Sequence, residues 1–270
     1  MIVLRFVFVN RFQFTLCLIA FLSAFSLSQT FAQTSLTPTT PWGTWLIGTI
    51  QLPANEKKWG GFAEIQARSN GMFRQYFYNE LKAGVSYDVD RNFSLMVAGG
   101  HYATYDYQDL SAGPLNTEKR LWEQLIINQY LSRIKFEHRY RVEQRWFTFR
   151  DGTTPYRNRI RYRLNAFVPI NNRTITDKTV FLSVYDEIFL NPIGPTFERN
   201  RFYAGIGYQL DKQWIVQLGV VNQTNYNPAT FESGVFTPQM ASGKSNVVVG
   251  LTYRLKRKGN GLEKLPSQPD

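Results

Sequence analysis

Residues 134–146, IKFEHRYRVEQRW, alternate between two chemistries. Lys135, Glu137, Arg139, Arg141, Glu143 and Arg145 take the odd positions; Ile134, Phe136, Tyr140, Val142 and Trp146 take even ones. A period of two is the period of a β-strand, whose successive Cβ atoms point to opposite faces of a sheet. A helix would spread both sets around its circumference. Residues 156–170, YRNRIRYRLNAFVPI, repeat the pattern: Arg157, Arg159, Arg161, Arg163 and Asn165 oppose Ile160, Tyr162, Leu164, Ala166 and Val168. The chain must therefore build a sheet with one strongly charged face and one apolar face.

The same alternation recurs along the chain. WGGFAEIQARS sets Glu64, Gln66 and Arg68 against Ala63, Ile65 and Ala67, and QYFYNELKAGVSY sets Glu80 and Lys82 against Leu81, Ala83 and Val85. TVFLSVYDEIF opposes Ser183, Tyr185 and Glu187 to Val180, Leu182, Val184 and Ile188, and RFYAGIGYQL opposes Arg201 and Tyr203 to Phe202, Ala204 and Ile206. Glu123 and His101 fit neither register cleanly. Eleven segments read as strands: 44–52, 59–69, 75–89, 93–105, 119–130, 134–147, 156–169, 179–189, 200–210, 214–224 and 246–255. Connections at 88–92, 131–133 and 210–213 read as tight turns, and those at 106–118, 190–200 and 224–244 as long loops.

Such a chain can close as a water-soluble barrel with apolar residues inside, or as a membrane barrel with apolar residues facing lipid and charges in the lumen. Three features favour the second. The segments run to 10–14 residues, and a tilted membrane strand needs about 9–11. Aromatic residues make up 16% of the chain and gather at strand ends, at Trp59, Tyr87, Trp146, Tyr156, Tyr208, Trp214 and Tyr253, as interfacial girdles require. The polar faces mix Arg with Glu, which suits mutual neutralisation in a closed space. The expected fold is all-β, a transmembrane antiparallel up-and-down barrel with a charged lumen. Bacterial single-chain barrels have even strand numbers, so eleven segments predict ten or twelve strands. The expected lumenal network comprises Lys135, Glu137, Arg139, Arg141, Glu143, Arg145, Arg157, Arg159, Arg161, Arg163, Glu187 and Arg201. His138 falls on the lipid side of this register.

Residues 1–32 read as a secretory signal peptide: Arg5 and Arg11, an apolar run from Phe14 to Phe25, and small residues ending near Ala32. The barrel is expected over 33–255 and a polar tail over 256–270. Cys17 is the one cysteine and lies in the signal segment, so disulfides, thiolate ligands and a cysteine nucleophile are excluded from the mature chain. The formal net charge is +11, and removing Arg5 and Arg11 leaves +9. The location expected is the outer membrane of a Gram-negative bacterium, among lipid and lipopolysaccharide.

The segments EKRLWEQ, FEHRYRVEQRW, RNRIRYRLNAFVPI, YDEIFLN and RNRFYAGIGYQL, in this order, resemble the outer-membrane family known as domain of unknown function 2490. The resemblance runs from Trp45 to Leu255. It implies an outer-membrane β-barrel but no reaction, and Arg139, Arg141, Glu143, Arg145, Arg161, Arg163, Glu187, Asn191 and Arg201 match as motif positions without a defined role.

Two functions from different classes follow. Rings of Arg line anion pores, so a barrel that binds or passes an anionic solute is the first, although the same Arg–Glu network could simply fill and brace a narrow lumen. The second is a hydrolase of lipid or lipopolysaccharide, which needs a nucleophile beside a base. RSNGM at 68–72 resembles the Ser-Asn-Gly element of some outer-membrane lipid hydrolases, yet the histidine expected two residues before Ser69 is Ala67. Only His101 and His138 could serve as histidine bases, so an enzyme is not expected. No cofactor and no metal are expected, because two histidines on different strands make a poor transition-metal site. Nucleic acid is not an expected partner, since the positive charge is assigned to the barrel interior.

Overall fold

A computed structural model of the chain describes residues 42–257, apart from 55, 194, 195, 228, 229, 233, 234, 238 and 239. The expected signal peptide, and most of the expected tail, lie outside the described residues. The strands are β1 (Trp42–Leu52), β2 (Trp59–Asn70), β3 (Gln75–Asp88), β4 (Phe93–Tyr105), β5 (Pro114–Leu131), β6 (Ile134–Phe149), β7 (Tyr156–Pro169), β8 (Thr179–Leu190), β9 (Phe197–Gln209), β10 (Trp214–Asn227), β11 (Thr230–Glu232), β12 (Val235–Thr237) and β13 (Met240–Arg254). No helix occurs among the described residues. All except β11 and β12 form one closed barrel, and those two pair as a small ribbon between β10 and β13.

The barrel has eleven strands, which corrects the expectation of ten or twelve. The segment beginning near residue 44 is a full wall strand, pairing antiparallel with β2 and parallel with β13. The reason is directional. Eleven consecutive strands, each reversing the last, leave the first and final ones pointing the same way, so the seam closes in parallel. The wall is thus antiparallel everywhere except at the β1–β13 seam. A further consequence is that the chain enters β1 at one rim and leaves β13 at the other.

These rims differ. The turn rim carries residues 53–58, 89–92, 132–133, 170–178 and 210–213, and the loop rim carries 71–74, 106–113, 150–155, 191–196 and the β10–β13 connection. The expected long loops are shorter than their sequence suggested, because β5, β9, β10 and β13 extend into them. Conversely, the nine-residue connection 170–178 sits among the tight turns and folds inward. Its Ile175 is buried with Phe167, Phe181 and Ile215, closing the turn rim with an apolar plug. Thr179 Oγ1 clasps this connection, accepting from Thr176 N at 3.0 Å and from Asn172 Nδ2 at 2.7 Å.

Burial follows the alternation read from sequence. In β6 the odd positions 135–147 are buried and the even ones exposed or half-buried. Charged and aromatic side chains therefore fill the interior, while Leu81, Val85, Val97, Ile206 and Leu218, each more than half exposed, stand on the outside. His101 and Glu123 are also on the outer face. So is His138, whose ring nitrogens bond Tyr162 Oη at 2.9 Å and Gln129 Oε1 at 3.2 Å, which accounts for its place there. Aromatic pairs mark both rims outside: Trp59–Tyr87 and Trp214–Tyr253 at the turn rim, Trp146–Tyr156 at the loop rim.

The interior has an apolar half and a charged half. Trp45, Ile47, Tyr185, Tyr203, Val221 and Val248 pack together from β1, β8, β9, β10 and β13. Tyr203 stacks on Tyr185 with centroids 4.9 Å apart, and its ring lies over Gly205 and Gly219, where a Cβ would collide with it. Gly219→Ala should therefore lower stability by about 1–3 kcal/mol through overpacking, measured as a shift in the urea midpoint. Gly99→Ala faces open space apart from one carbonyl oxygen and should change it far less.

Candidate functional site: the arginine–glutamate interior

The register of β6 against β7 makes a problem that these strands cannot solve alone. It sets Arg139 opposite Arg163, Arg141 opposite Arg161 and Arg145 opposite Arg157; only Glu143 meets an unlike charge, Arg159. Like charges directly opposite are destabilising. The relief comes largely from one residue on β8. Glu187, fully buried, stands opposite both Arg163 and Arg201. Its carboxylate lies 2.7 Å from Arg139, 2.7 Å from Arg161, 3.1 Å from Arg163 and 3.8 Å from Arg201.

Glu143, likewise fully buried, takes Arg159 and Arg161 at 2.7 Å each and Arg141 at 3.5 Å. Arg161 therefore bridges the two carboxylates. Lys135 pairs with Glu137 at 3.0 Å nearer the turn rim. The guanidiniums also lie on aromatic faces: Arg141 on Trp122 at 4.9 Å, Arg163 on Tyr185 at 4.2 Å, Arg161 on Phe189 at 4.6 Å. Lys135 Nζ likewise lies over the Phe167 ring, at 5.0 Å, but only a planar, weakly hydrated guanidinium both stacks on a ring and forks to carboxylates, which suits Arg over Lys here.

Of the twelve residues expected in the lumen, eleven are buried inside the barrel. The exception is Arg157, which is exposed at the loop rim and lies 5.5 Å over the Phe147 ring. Its place at the start of β7 puts it beyond the closed section. Sequence reading missed Glu118, Arg120, Glu198 and Arg199. Glu118 and Glu198 fell in presumed loops, yet Glu118 pairs with Arg120 and lies 2.5 Å from Arg145, and Glu198 lies 3.2 Å from Arg159 and 3.7 Å from Arg145. Continuing the period of two from Arg120 back to Glu118 would have found the first. A bulge between Phe189 and Leu190 shifts the register beside Glu198, and no periodicity foretells that. A second, smaller cluster joins Lys82 to Glu64 at 2.5 Å and Glu80 at 2.6 Å, with Arg68 held between Trp45 and Tyr78.

The balance of charge is unequal between the two clusters. Arg68 and Lys82 are matched by Glu64 and Glu80. On β5–β9, however, ten cations face inward (Arg120, Lys135, Arg139, Arg141, Arg145, Arg159, Arg161, Arg163, Arg199, Arg201) against five carboxylates (Glu118, Glu137, Glu143, Glu187, Glu198). A guanidinium does not shed its proton in proteins, so the surplus is permanent.

The family model for the protein of unknown function DUF2490 matches residues 42–233. The chain belongs to the DUF2490 family. The match takes in all of β1–β10 and stops before β13, whereas the sequence resemblance was expected to reach Leu255. No curated protein matches the chain. Among solved structures it is similar to the siderophore receptor PirA from Pseudomonas aeruginosa, with 11% identity and a TM-score of 0.26. That match covers 69% of this chain and 42% of the receptor, so the chain spans less than half of it, and nothing about siderophores follows.

The alternative hydrolase reading asks for a histidine beside Ser69, and the structure places neither His101 nor His138 there. The register aligns His101 with Leu81 and Leu81 with Ile65, all outward-facing, whereas Ser69 lies four residues beyond Ile65. His138 is committed to Tyr162 and Gln129. Among the described residues, no group of His, Cys, Asp and Glu could hold a metal ion.

Proposed function

We propose that this DUF2490 protein is an outer-membrane β-barrel of a Gram-negative bacterium whose closed, arginine-rich interior binds an anionic solute and does not conduct it. The carrying observation is the inverted distribution of side chains, with charges buried and apolar residues outside. Soluble monomers rarely expose contiguous apolar patches beyond a few hundred Å², and here such residues ring the barrel. On β10 and β13 the outward Trp214, Val216, Leu218, Val220 and Tyr253, Leu251, Val249, Val247 run from the turn rim to Asn222 and Ser245. Four or five outward positions per tilted strand match an apolar band of about 25 Å. Polar outward residues then take over, so the loop rim projects beyond the lipid.

Occlusion rests on the filling of the lumen: Trp122, Arg159, Arg161, Arg163, Tyr203 and Phe181 are almost wholly buried. Anion binding rests on the five surplus cations. The test has two arms. Expressed with its signal, the protein should fractionate with the outer membrane, and a folded, detergent-free periplasmic form would overturn the location. In planar bilayers the purified barrel should give no anion-selective steps while calorimetry detects anion binding; stable conductance would sink the closed interior.

A further inference from the structure

The outer face is not uniform around the barrel. On β10, β13, β1, β2 and β3 the outward rows hold no acid, base or histidine. On β5, β6 and β8 they hold Glu123, His138 and Asp186, and His101 and Lys119 share the row of the rim residue Trp146. The three stand among apolar neighbours. Glu123 has Val97 and Val142 beside it across the strands, His138 has Ile127 and Leu164, and Asp186 has Leu164 and Phe202.

Adjacent polar groups meet part of their need. Gln144 Nε2 donates to Glu123 at 3.1 Å, Asn200 Nδ2 donates to Asp186 at 2.8 Å, and His138 bonds Tyr162 and Gln129. An amide neutralises no charge, and among the described residues neither carboxylate has a cation within ion-pair distance. Ionisable groups left in hydrocarbon are costly and rare. A side of the wall that gathers three of them, while the other side has none, is suited to being covered by protein.

We infer that the outer face of β5–β8 docks a second copy of this chain, in a two-fold dimer whose axis passes near Leu164 on β7. This rests on the reading of the protein as a membrane barrel and names its partner. Copies inserted in one membrane share an orientation, so the axis stands along the membrane normal. A two-fold interface uses the same patch on both copies, which must therefore complement itself. Here the donors and the acceptor lie on either side of β7: His138 and the half-exposed Tyr140 on β6, Asp186 on β8. Rotation about β7 lays β6 of each copy on β8 of the other. Each Asp186 then meets an imidazole and a phenol, and the contact is made twice. The patch carries both the acid and the base that it needs, so a second copy completes it. Glu123 lies at the margin of this contact.

The expected mature chain, residues 33–270, has no cysteine, so single cysteines report on the face. The parent should be dimeric by light scattering in mild detergent micelles. In lipid vesicles a short bismaleimide should link Leu164→Cys into a homodimer and leave Ile65→Cys, five strands round the wall on β2, monomeric. Asp186→Leu and His138→Leu should each raise the dimer dissociation constant roughly tenfold or more, with heat-modifiable mobility showing that the variants are folded. A parent that is monomeric in micelles and vesicles overturns the inference, as does equal linking of Leu164→Cys and Ile65→Cys. So does an Asp186→Leu barrel that dimerises as the parent does. Linking of Leu164→Cys to a different protein in native membranes assigns the face to that protein and overturns the second copy. All of these outcomes leave the membrane location standing. Recovery of a folded, detergent-free periplasmic form removes both.

Discussion

Glu187→Gln should lower the unfolding free energy by about 3–5 kcal/mol, the range found when one partner of a buried ion pair is removed. The substitution is nearly isosteric, so it leaves the packing and takes away the charge. Four guanidiniums then remain in a closed space, with Arg139 still opposite Arg163 and Arg201 still beside them. Glu143→Gln should act similarly through Arg141, Arg159 and Arg161. The two effects should not add, because Arg161 serves both carboxylates and shared partners couple. Guanidinium or urea titration in lipid vesicles measures this, with Glu56→Gln, on an exposed connection, expected within about 0.5 kcal/mol of the parent. A midpoint unchanged by Glu187→Gln would mean that water and not Glu187 screens the arginines. Buried ion pairs are not stabilising in themselves; the expected loss is that of leaving guanidiniums without their counter-charge.

The second large effect belongs to the outer face. Leu218 is 58% exposed and sits midway along the outward row Trp214, Val216, Leu218, Val220, Asn222. In lipid, Leu218→Arg should lose about 2–4 kcal/mol, as charged residues do at the midplane of a membrane barrel. Thr148→Arg, outward but near the loop rim, should lose about 0–1 kcal/mol, as they do near the interface. The depth dependence is the informative quantity. A barrel whose outer face meets water would tolerate Leu218→Arg as readily as Thr148→Arg, and equal urea midpoints for the two variants would refute the lipid-facing belt.

How much of this was legible in the sequence can be judged residue by residue. The odd row 135–145 was readable as one face because the strand period is fixed by covalent geometry, and its burial follows once the sheet closes. The strand segments were readable for the same reason. Glu118 was legible only by extending the period of two back from Arg120, because the glycine and proline at 113–114 mark a turn and hide that β5 starts there. Ile175 was not, because a lone isoleucine in a polar connection carries no periodic signal; only the inward fold of 170–178 makes it a plug.

By itself, then, the alternation determined that this chain forms strands, which residues share a face, and that one face is charged and the other apolar. These are properties of neighbouring residues along one strand, set by backbone geometry. The tertiary structure alone decided the eleven-strand closure with its parallel seam, because whether a strand joins the wall depends on partners far away in the chain. It also decided that Glu187 answers four arginines from β6, β7 and β9, and that Arg157 stays outside the closed section. Alternation and turn geometry constrain the register of neighbouring strands, but which charges meet across non-neighbouring strands, and at which rim, is decided only when the barrel closes.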